Sequence, residues 1–263
     1  MEIDLEQKSP SIEQVSDLLA EIACQLMTSG AHTMRIIQNI SRMAKTFGYE
    51  INISVFQMSI MMTIAEYSNP TNRLTIVKKT KPLLLNFTHV SELSTLSWDT
   101  YDKRLNYQEI QSRFHEIVTR KRMAPLLVLF LVSLANASFC GLFKGDFPSM
   151  GLVFGATLIG FFVRQQMINR RINHLVIFTT SAFTASLIAG LGYIFQWGGT
   201  PQIALATSVL YLIPGVPLIN SILDIIEGHI LTGIARLVNA STLIVCIAIG
   251  LFLAMLILGL EKL

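Results

Sequence analysis

Three polar side chains capable of proton exchange and hydrogen bonding follow one another in an apolar part of the chain: Asn220, Asp224 and Glu227. At 100° per residue these positions fall within roughly 60° of one another on a helix and form a stripe. Carboxylates exchange protons and an amide supplies neutral hydrogen bonds, so the stripe could line a polar pathway through a membrane. It could equally be the wet side of an amphipathic connector at the membrane surface. The spacing leaves both interpretations open.

The stripe follows a break inside the apolar segment, Pro214-Gly215-Val216-Pro217. Proline lacks the backbone N–H group and interrupts a helix, so this tetrapeptide cannot continue one smoothly. An interrupted helix can present carbonyl groups and a helix terminus to a substrate, or it can simply be the loop that ends a span. Irregular backbone and acidic side chains persist at membrane depth only where protein or a water-filled cavity surrounds them. The segment therefore indicates a membrane protein with a polar pathway or a surface hinge.

Further candidates lie on both sides of this segment. If the helix continues past Glu227, a second polar stripe is predicted on nearly the opposite side, formed by His229, Thr232 and Arg236. Near the N-terminus, Ser29-Gly30-Ala31 predicts a tight joint between two helices. Arg35 follows this joint and could gate or bind, or could make an ordinary surface salt bridge. Three arginines in the apolar half could bind an anionic substrate, although topology and lipid-headgroup contacts are the favoured interpretation: Arg164, Arg170 and Arg171.

The charged residues are distributed unevenly along the 263 residues. Residues 1–122 contain 14 of the 20 Lys and Arg and 13 of the 17 Asp and Glu. Over the whole chain 52% of residues are hydrophobic and 14% are charged, whereas about a quarter are charged in an average soluble domain. The sequence therefore predicts a water-soluble domain over 1–122 and a membrane domain over 123–263.

Several classes of function lack support in the sequence. A net charge of +3 without an extended basic stripe does not indicate a partner nucleic acid. The sequence has no nucleotide-binding P-loop, GxSxG elbow or HExxH motif, so we expect neither enzymatic activity nor a cofactor. The three cysteines are widely separated, and we predict no metal site. The N-terminus has no basic and apolar leader, so we expect no cleaved signal peptide and insertion directed by the first span.

Apolar periodicity predicts an α+β fold for the soluble domain. Ser11 is expected to cap the first helix, Gly48 to follow the second, and Asn69-Pro70-Thr71-Asn72 to form a turn. The region 50–64 is one long strand or two short ones. The predicted elements are helices 12–29 and 33–47, strands within 50–64 and at 73–77, and helices 88–96 and 107–120.

The membrane domain is expected to be all-α, with about five transmembrane helices. The predicted spans are 126–143, 150–163, 175–195, one from 203 into the break at Pro214, and 237–260. The second is shorter than the roughly 20 residues that a bilayer requires, and we favour a full span over a re-entrant hairpin. Basic residues fall at every second boundary, which predicts a cytoplasmic N-terminal domain in a protein of the cell (inner) membrane.

With these residues in place, the chain resembles the threonine/serine exporter (ThrE) family, specifically its first-half, YjjP-like type of subunit. The resemblance covers roughly residues 14–260, in the order helix pair, strand pair, helical linker and membrane half. Its most specific part is Ile213-Pro214-Gly215 followed by Asn220, Asp224, Gly228, Gly233 and Arg236.

The resemblance implies export of small polar metabolites: threonine and serine for fused members, and dicarboxylates such as succinate for some split members. Fused members have about ten spans, so the resemblance also implies a second small membrane subunit as a partner, while a homo-oligomer stays open. Members often carry an acidic residue after the Gly-Ala of the joint, where this chain has His32. The position two after Arg35 is the apolar Ile37. The role that the acidic residue has in other members is therefore not carried over to this chain.

The expected function is one subunit of an exporter driven by the proton-motive force and working by alternating access. Asp224 or Glu227 would couple protonation to substrate release. A substrate ammonium would suit a carboxylate, and a substrate carboxylate would suit Arg236 or a helix N-terminus. The alternative is a membrane-anchored sensor or scaffold whose soluble domain binds a ligand or partner. That alternative predicts tolerance to substitution at Asn220 and Asp224.

Overall fold

The computed structural model describes residues 10–121 and 123–260, which fall into two compact units. The first unit comprises the described part of Met1–Lys121 together with Val216–Leu237. The second comprises the described parts of Arg122–Gly215 and Val238–Leu263. The segment with Asn220, Asp224, Glu227 and Arg236 therefore belongs to the same unit as the N-terminal helices.

The first two helices form where the apolar periodicity predicts them. Helix α1 (Ile12–Ser29) begins at a capping box in which Ser11 and Gln14 bond reciprocally, which satisfies amides that lack an intrahelical partner. It ends at Gly30, whose φ of 100° is a left-handed conformation that favours glycine. Helix α2 (Thr33–Thr46) begins directly after this joint. A short, fixed connection therefore sets the first turn of α2 against the end of α1.

The strands form an antiparallel sheet in the order β1-β2-β3, with β1 at Tyr49–Val55, β2 at Ser59–Glu66 and β3 at Arg73–Lys79. The region 50–64 is thus two strands rather than one. Successive side chains of a strand point to opposite faces, and the buried face of β2 consists of Ile60, Met62 and Ile64. This face packs against the helices.

Two more helices complete the N-terminal part: α3 (Phe87–Lys103) and α4 (Tyr107–Thr119). Helix α3 continues past the predicted end at 96 and stops at Arg104, which has a left-handed φ of 50°. The core draws apolar side chains from α1 to α4 and the sheet. Its largest fully buried members are Leu19, Ile22, Leu26, Ile36, Ile40, Met43, Ile60, Met62, Ile64, Leu93 and Ile110.

The remaining described elements are all helices. They are α5 (Pro125–Leu142), α6 (Phe147–Asn169), α7 (His174–Ile194), α8 (Pro201–Thr207), a 3₁₀ turn (Leu210–Leu212), α9 (Gly215–Ile226) and α10 (Ile230–Ile257). In the described part of the chain, α5, α6, α7 and α10 are long and apolar enough to cross a membrane. The count rises to five if the segments on either side of the break before Gly215 form one span.

The second predicted span is longer than the sequence analysis expected. Helix α6 has 23 residues rather than the 14 of segment 150–163, which is enough to cross a bilayer. It begins earlier because Asp146 caps it and Pro148 is tolerated in its first turn. It also ends later, since the helix continues through the polar residues that follow Val163. The spanning interpretation of this segment therefore needs no re-entrant hairpin.

Asp146 also joins two connections of the second unit, which is referred to below as the helical unit. Its carboxylate accepts hydrogen bonds from the Ser149 amide at 3.1 Å, the Thr200 hydroxyl at 2.9 Å and the Gly199 amide. The same Thr200 hydroxyl accepts from the Asp146 amide at 2.9 Å. A single carboxylate thus fixes the start of α6 against the connection that precedes α8.

Candidate functional site

The candidate site forms around the joint between α1 and α2. The left-handed conformation of Gly30 turns the chain sharply, and its carbonyl oxygen accepts a hydrogen bond from Asn220 Nδ2 at 2.8 Å. A Cβ atom at Gly30 would lie 2.6 Å from Leu85 Cδ2, so a larger side chain does not fit without displacement. The joint is therefore tightly packed, and its Gly30 carbonyl group holds α9 through Asn220.

Asp224 is the most deeply buried charged group of the site. Its side chain is 0% exposed, and its two oxygens have different partners. Oδ1 accepts from the Thr33 amide at 2.9 Å, and Oδ2 accepts from Arg236 Nη1 at 2.7 Å. Thr33 opens α2, where amides lack intrahelical partners and the helix dipole favours negative charge. Backbone and guanidinium together compensate a carboxylate whose isolated burial would cost several kcal/mol.

A second polar contact, more accessible to water, lies beside this ion pair. His32 Nδ1 and Glu227 Oε2 are 3.2 Å apart, and their side chains are 23% and 25% exposed. The Arg236 side chain, by contrast, is 12% exposed. The site therefore has an inner pair of Asp224 and Arg236 and an outer pair of His32 and Glu227 within reach of water.

The chain reaches this arrangement through a break in the helix after α9. The helix stops at Ile226, and Gly228 takes a left-handed φ of 87° before α10 begins at Ile230. Gly233 then lies close to α9, because a Cβ atom there would be 2.7 Å from the Ser221 carbonyl oxygen. The prediction of a second stripe opposite Asp224 is wrong for this reason. With the helix interrupted, Arg236 returns to the side of Asp224.

The other members of the predicted second stripe have separate environments. The Thr232 hydroxyl donates to the Val55 carbonyl oxygen at 2.6 Å and ties the start of α10 to the end of β1. The amide of His229 donates to the Asp224 carbonyl oxygen at 2.7 Å, while its Nε2 atom is buried with no hydrogen-bond partner among the described residues. Neither side chain joins the inner or the outer pair.

The structure brings together some of the predicted site residues and not others. Gly30, Asn220, Asp224, Glu227 and Arg236 share one cluster. Arg35 is exposed and makes no hydrogen bond or ion pair within the described ranges, so the ordinary expectation of a surface salt bridge is not met. Pro214 and Gly215 form the predicted break, but by compactness they belong to the second unit.

His32, Asp224 and Glu227 each offer a ligand atom, and these atoms lie within 4.8 Å of one another. The donor set would suit a divalent cation by type. However, Arg236 already occupies Asp224 Oδ2, so a cation would have to displace a guanidinium and overcome its positive charge. We therefore interpret the cluster as paired charges rather than as a metal centre.

Sequence reasoning did not identify His32 and Thr33 as partners of the acidic residues. The available signal was local: a sharp joint leaves the first amides of α2 unpaired and attractive to a carboxylate. Nothing local indicates which carboxylate, since Thr33 and Asp224 are 191 residues apart. The contact arises only from tertiary folding.

The helical unit contains a polar contact that the sequence analysis also missed. Asn136, buried in α5, donates to the Thr157 hydroxyl at 2.7 Å and to the Thr207 carbonyl oxygen at 3.2 Å. A lone amide within an apolar helix was the signal, because polar side chains at membrane depth usually bond to neighbouring helices. This contact links α5 to α6 and to the end of α8.

Four helices that are long and apolar enough to cross a membrane, or five if the bent pair forms one span, define the class of polytopic membrane proteins. The chain belongs to the threonine/serine exporter (ThrE) family. The model of that family, described as "Putative threonine/serine exporter", matches residues 17–258.

Three relatives illustrate the breadth of this family. The chain is 31% identical over 249 residues to "Probable succinate transporter subunit YjjP" of Klebsiella aerogenes, covering 94% of this chain and 95% of that protein. The protein of the same name in Escherichia coli K12 is 30% identical, with 94% and 96% covered. A "Probable threonine/serine exporter" of Mycobacterium tuberculosis is 22% identical, with 92% of this chain but 46% of that protein covered. No solved structure matches the chain.

Proposed function

We propose that this chain is one membrane subunit of a secondary exporter of small polar metabolites, either threonine- and serine-type amino acids or dicarboxylates such as succinate. The observation that supports this most strongly is the fully buried Asp224, which is paired with Arg236 in a member of an exporter family. A structural anchor does not require buried charges, because apolar side chains of similar volume stabilise as well or better. A transporter coupled to protons, by contrast, uses charged groups that can exchange partners.

The inner and outer pairs suit such an exchange. Protonation of Asp224 removes one negative charge from the cluster and leaves Arg236 without its partner, whereas protonation of Glu227 removes the charge that faces His32. A substrate carboxylate can then take the place of the protein carboxylate, and a substrate ammonium can bind the carboxylate that stays ionised. In this proposal the proton-motive force drives alternating access, and Asp224 or Glu227 carries the coupling proton.

The remaining proposed pathway residues contribute shape. Pro214 and Gly215 interrupt the apolar segment, and such discontinuous helices provide backbone groups for substrates and coupling ions. Asn220 anchors α9 to the Gly30 carbonyl, so a change at the α1–α2 joint would be transmitted to the pathway. In this proposal Gly30 is the hinge of the α1–α2 joint. Arg35, whose side chain is exposed, controls the movement of this joint as part of the gate.

We further propose that the domain over 1–122 is cytoplasmic, that the domain over 123–263 lies in the cell (inner) membrane, and that a second small membrane subunit completes the exporter. Arg120 before α5 and Arg170 and Arg171 between α6 and α7 are separated by two predicted spans and so fall on the same side of the membrane, which supports this orientation. The names of the Klebsiella and Escherichia relatives, which describe a transporter subunit, support the partner.

The test is metabolite accumulation in cells that lack this chain, with and without the candidate second subunit encoded nearby. Intracellular and external succinate, threonine and serine are measured after loading with each compound or its peptide precursor. We expect one of these compounds to accumulate inside the deletion strain and to be released again only when both subunits are restored. Unchanged intracellular levels and efflux of all three compounds would contradict the proposal.

A further inference from the structure

Arg164 has an environment that differs from that of the other arginines in the helical unit. It lies within α6, about 7 Å from the end of the helix at 1.5 Å per residue. Its Nε atom is buried and has no hydrogen-bond partner among the described residues. Arg170 and Arg171, which follow the helix, are exposed. Interfacial arginines of that kind serve topology, whereas Arg164 requires a different explanation.

The surroundings of Arg164 are aromatic rather than acidic. Its guanidinium carbon lies 5.4 Å from the centre of the Phe161 ring and 5.5 Å from that of Phe178. No carboxylate in the described part of the chain forms a salt bridge with it. Ring faces attract a cation by about 0.5–2 kcal/mol but do not satisfy its N–H donors. The rings thus hold the Arg164 side chain in place, and its Nε–H group, which has no hydrogen-bond partner among the described residues, is available to an anion.

Other polar groups follow the same side of α6 towards its middle. Thr157 lies seven residues before Arg164, within about 20° around the helix, and accepts the hydrogen bond from Asn136. Between them, Gly160 leaves space for the Tyr211 hydroxyl, which would be 2.5 Å from a Cβ atom there. That hydroxyl donates to the Ser181 carbonyl oxygen at 3.3 Å, while the Ser181 hydroxyl is buried with no partner among the described residues.

We propose that Arg164 binds a carboxylate of the transported solute within the helical unit, at a step of transport distinct from the exchange at Arg236. The guanidinium presents donors in a planar fork that matches a carboxylate bidentately. The buried Ser181 hydroxyl of α7 and the Tyr211 hydroxyl beside Gly160 would contact the polar remainder of the solute. This assignment rests on the proposed export function and deepens it, because it requires that every transported substrate carry a carboxylate.

The decisive experiment compares R164Q with the matched control R170Q in the full chain, purified with its partner subunit. Gln keeps polarity and approximate length but removes the charge and the fork. We expect the Kd for succinate or threonine to rise at least tenfold in R164Q and to stay within twofold of the wild type in R170Q. Equal affinities of the two variants, in a preparation whose wild type exports the compound, would overturn the role of Arg164 while leaving the exporter function intact.

A chemical test on the unmodified protein covers the case in which R164Q does not fold. The arginine reagent phenylglyoxal is applied to the wild type in detergent, and modification at Arg164 and Arg170 is measured by peptide mass spectrometry. We expect succinate to slow modification of Arg164 at least fivefold, succinamide to have no effect, and Arg170 to be insensitive to both.

Two further outcomes would count against the assignment. Protection of Arg164 by phosphatidylglycerol but not by succinate or threonine would identify a lipid-headgroup contact instead of a solute site. A wild-type preparation that neither binds nor exports succinate or threonine would contradict the proposed function and this inference with it.

Discussion

At the scale of single residues, the inner ion pair is the feature on which the site depends. Asp224 is fully enclosed and Arg236 nearly so, so each charge is compensated mainly by the other. Breaking a buried pair by removing one partner leaves an uncompensated charge and usually costs 3–5 kcal/mol. Replacing one partner of the pair therefore tests its contribution to stability more sharply than replacing both.

The substitution R236Q should lower the free energy of unfolding by about 3 kcal/mol. Adding D224N to R236Q should recover part of this loss, because no unpaired charge is then buried. Chemical or thermal unfolding of the purified variants measures both effects. R35Q is the matched control, since Arg35 is exposed without a partner in the described chain, and it should change stability by less than about 0.5 kcal/mol. Equal stability of R236Q and R35Q would contradict the structural role of the pair.

Asp146 provides a pH-dependent prediction outside the spans. Hydrogen bonds, first from Ser149 and then from the Gly199 amide, hold the pKa of the Asp146 carboxyl far below its usual range. A carboxyl with a depressed folded pKa stabilises fully above its unfolded value of about 3.9, and this contribution is lost as the pH falls towards the folded pKa. D146N should therefore melt at a lower temperature than the wild type at pH 7.

The melting-temperature difference between D146N and the wild type should be constant from pH 7 to about pH 5 and should shrink below about pH 4. The measurement is a thermal unfolding series in detergent over that range. Asp102, exposed at the end of α3, serves as the control through D102N. A D146N difference that grows as the pH falls would have the wrong sign for this account.

At the scale of elements, the break at Gly228 between α9 and α10 brings Arg236, but not His229 or Thr232, to the side of Asp224. Sequence periodicity predicts Asn220, Asp224 and Glu227 on one side of the helix, and all three contact residues of the α1–α2 joint. Periodicity could not determine whether the helix continues through Glu227, because Gly228 is compatible both with a helix and with the left-handed φ of 87° that it adopts. Periodicity therefore places Arg236, which pairs with Asp224, on the wrong side of the helix.

The close approach of α10 to α9 gives a direct test of this element. In G233A, the added methyl group would lie 2.6 Å from Ile225 Cγ1 and 2.7 Å from the Ser221 carbonyl oxygen, and the backbone atom cannot move aside cheaply. We expect a loss of roughly 1–3 kcal/mol in unfolding free energy.

The matched control for G233A is G155A, in α6, where nothing lies within 4 Å of the added atom. Alanine is the better helix former, so G155A should be neutral or stabilising by up to about 1 kcal/mol. Unfolding curves of both variants provide the comparison. A G233A protein as stable as G155A would contradict the packing of α10 against α9.

At the scale of the whole molecule, much of the fold follows from periodicity and composition. The helices of residues 12–47, the strands and the long apolar helices lie near their predicted positions, because local patterns determine them. The assignment of Val216–Leu237 to the unit of the N-terminal helices depends on the contacts of Thr33, Gly30 and Val55. These join residues more than 170 positions apart, and no local pattern specifies them.

This association gives the N-terminal helices a direct connection to the candidate pathway. The first turn of α2 supplies the Thr33 amide to Asp224, and the α1–α2 joint holds Asn220. In a sensor with passive spans, the buried pair would serve stability alone, and a charge-neutral replacement of Asp224 that folds would keep every activity. In an exporter, the same replacement removes a group that must change partners during each cycle.

The most direct measurement is therefore efflux by D224N, with D102N as the matched carboxylate control. Cells that express each variant with the second subunit are loaded with succinate or threonine, and external and internal amounts are followed together with the membrane abundance of the protein. We predict that D224N loses at least nine-tenths of the wild-type efflux per molecule of inserted protein, while D102N retains it. Wild-type efflux by a fully inserted D224N would contradict the account.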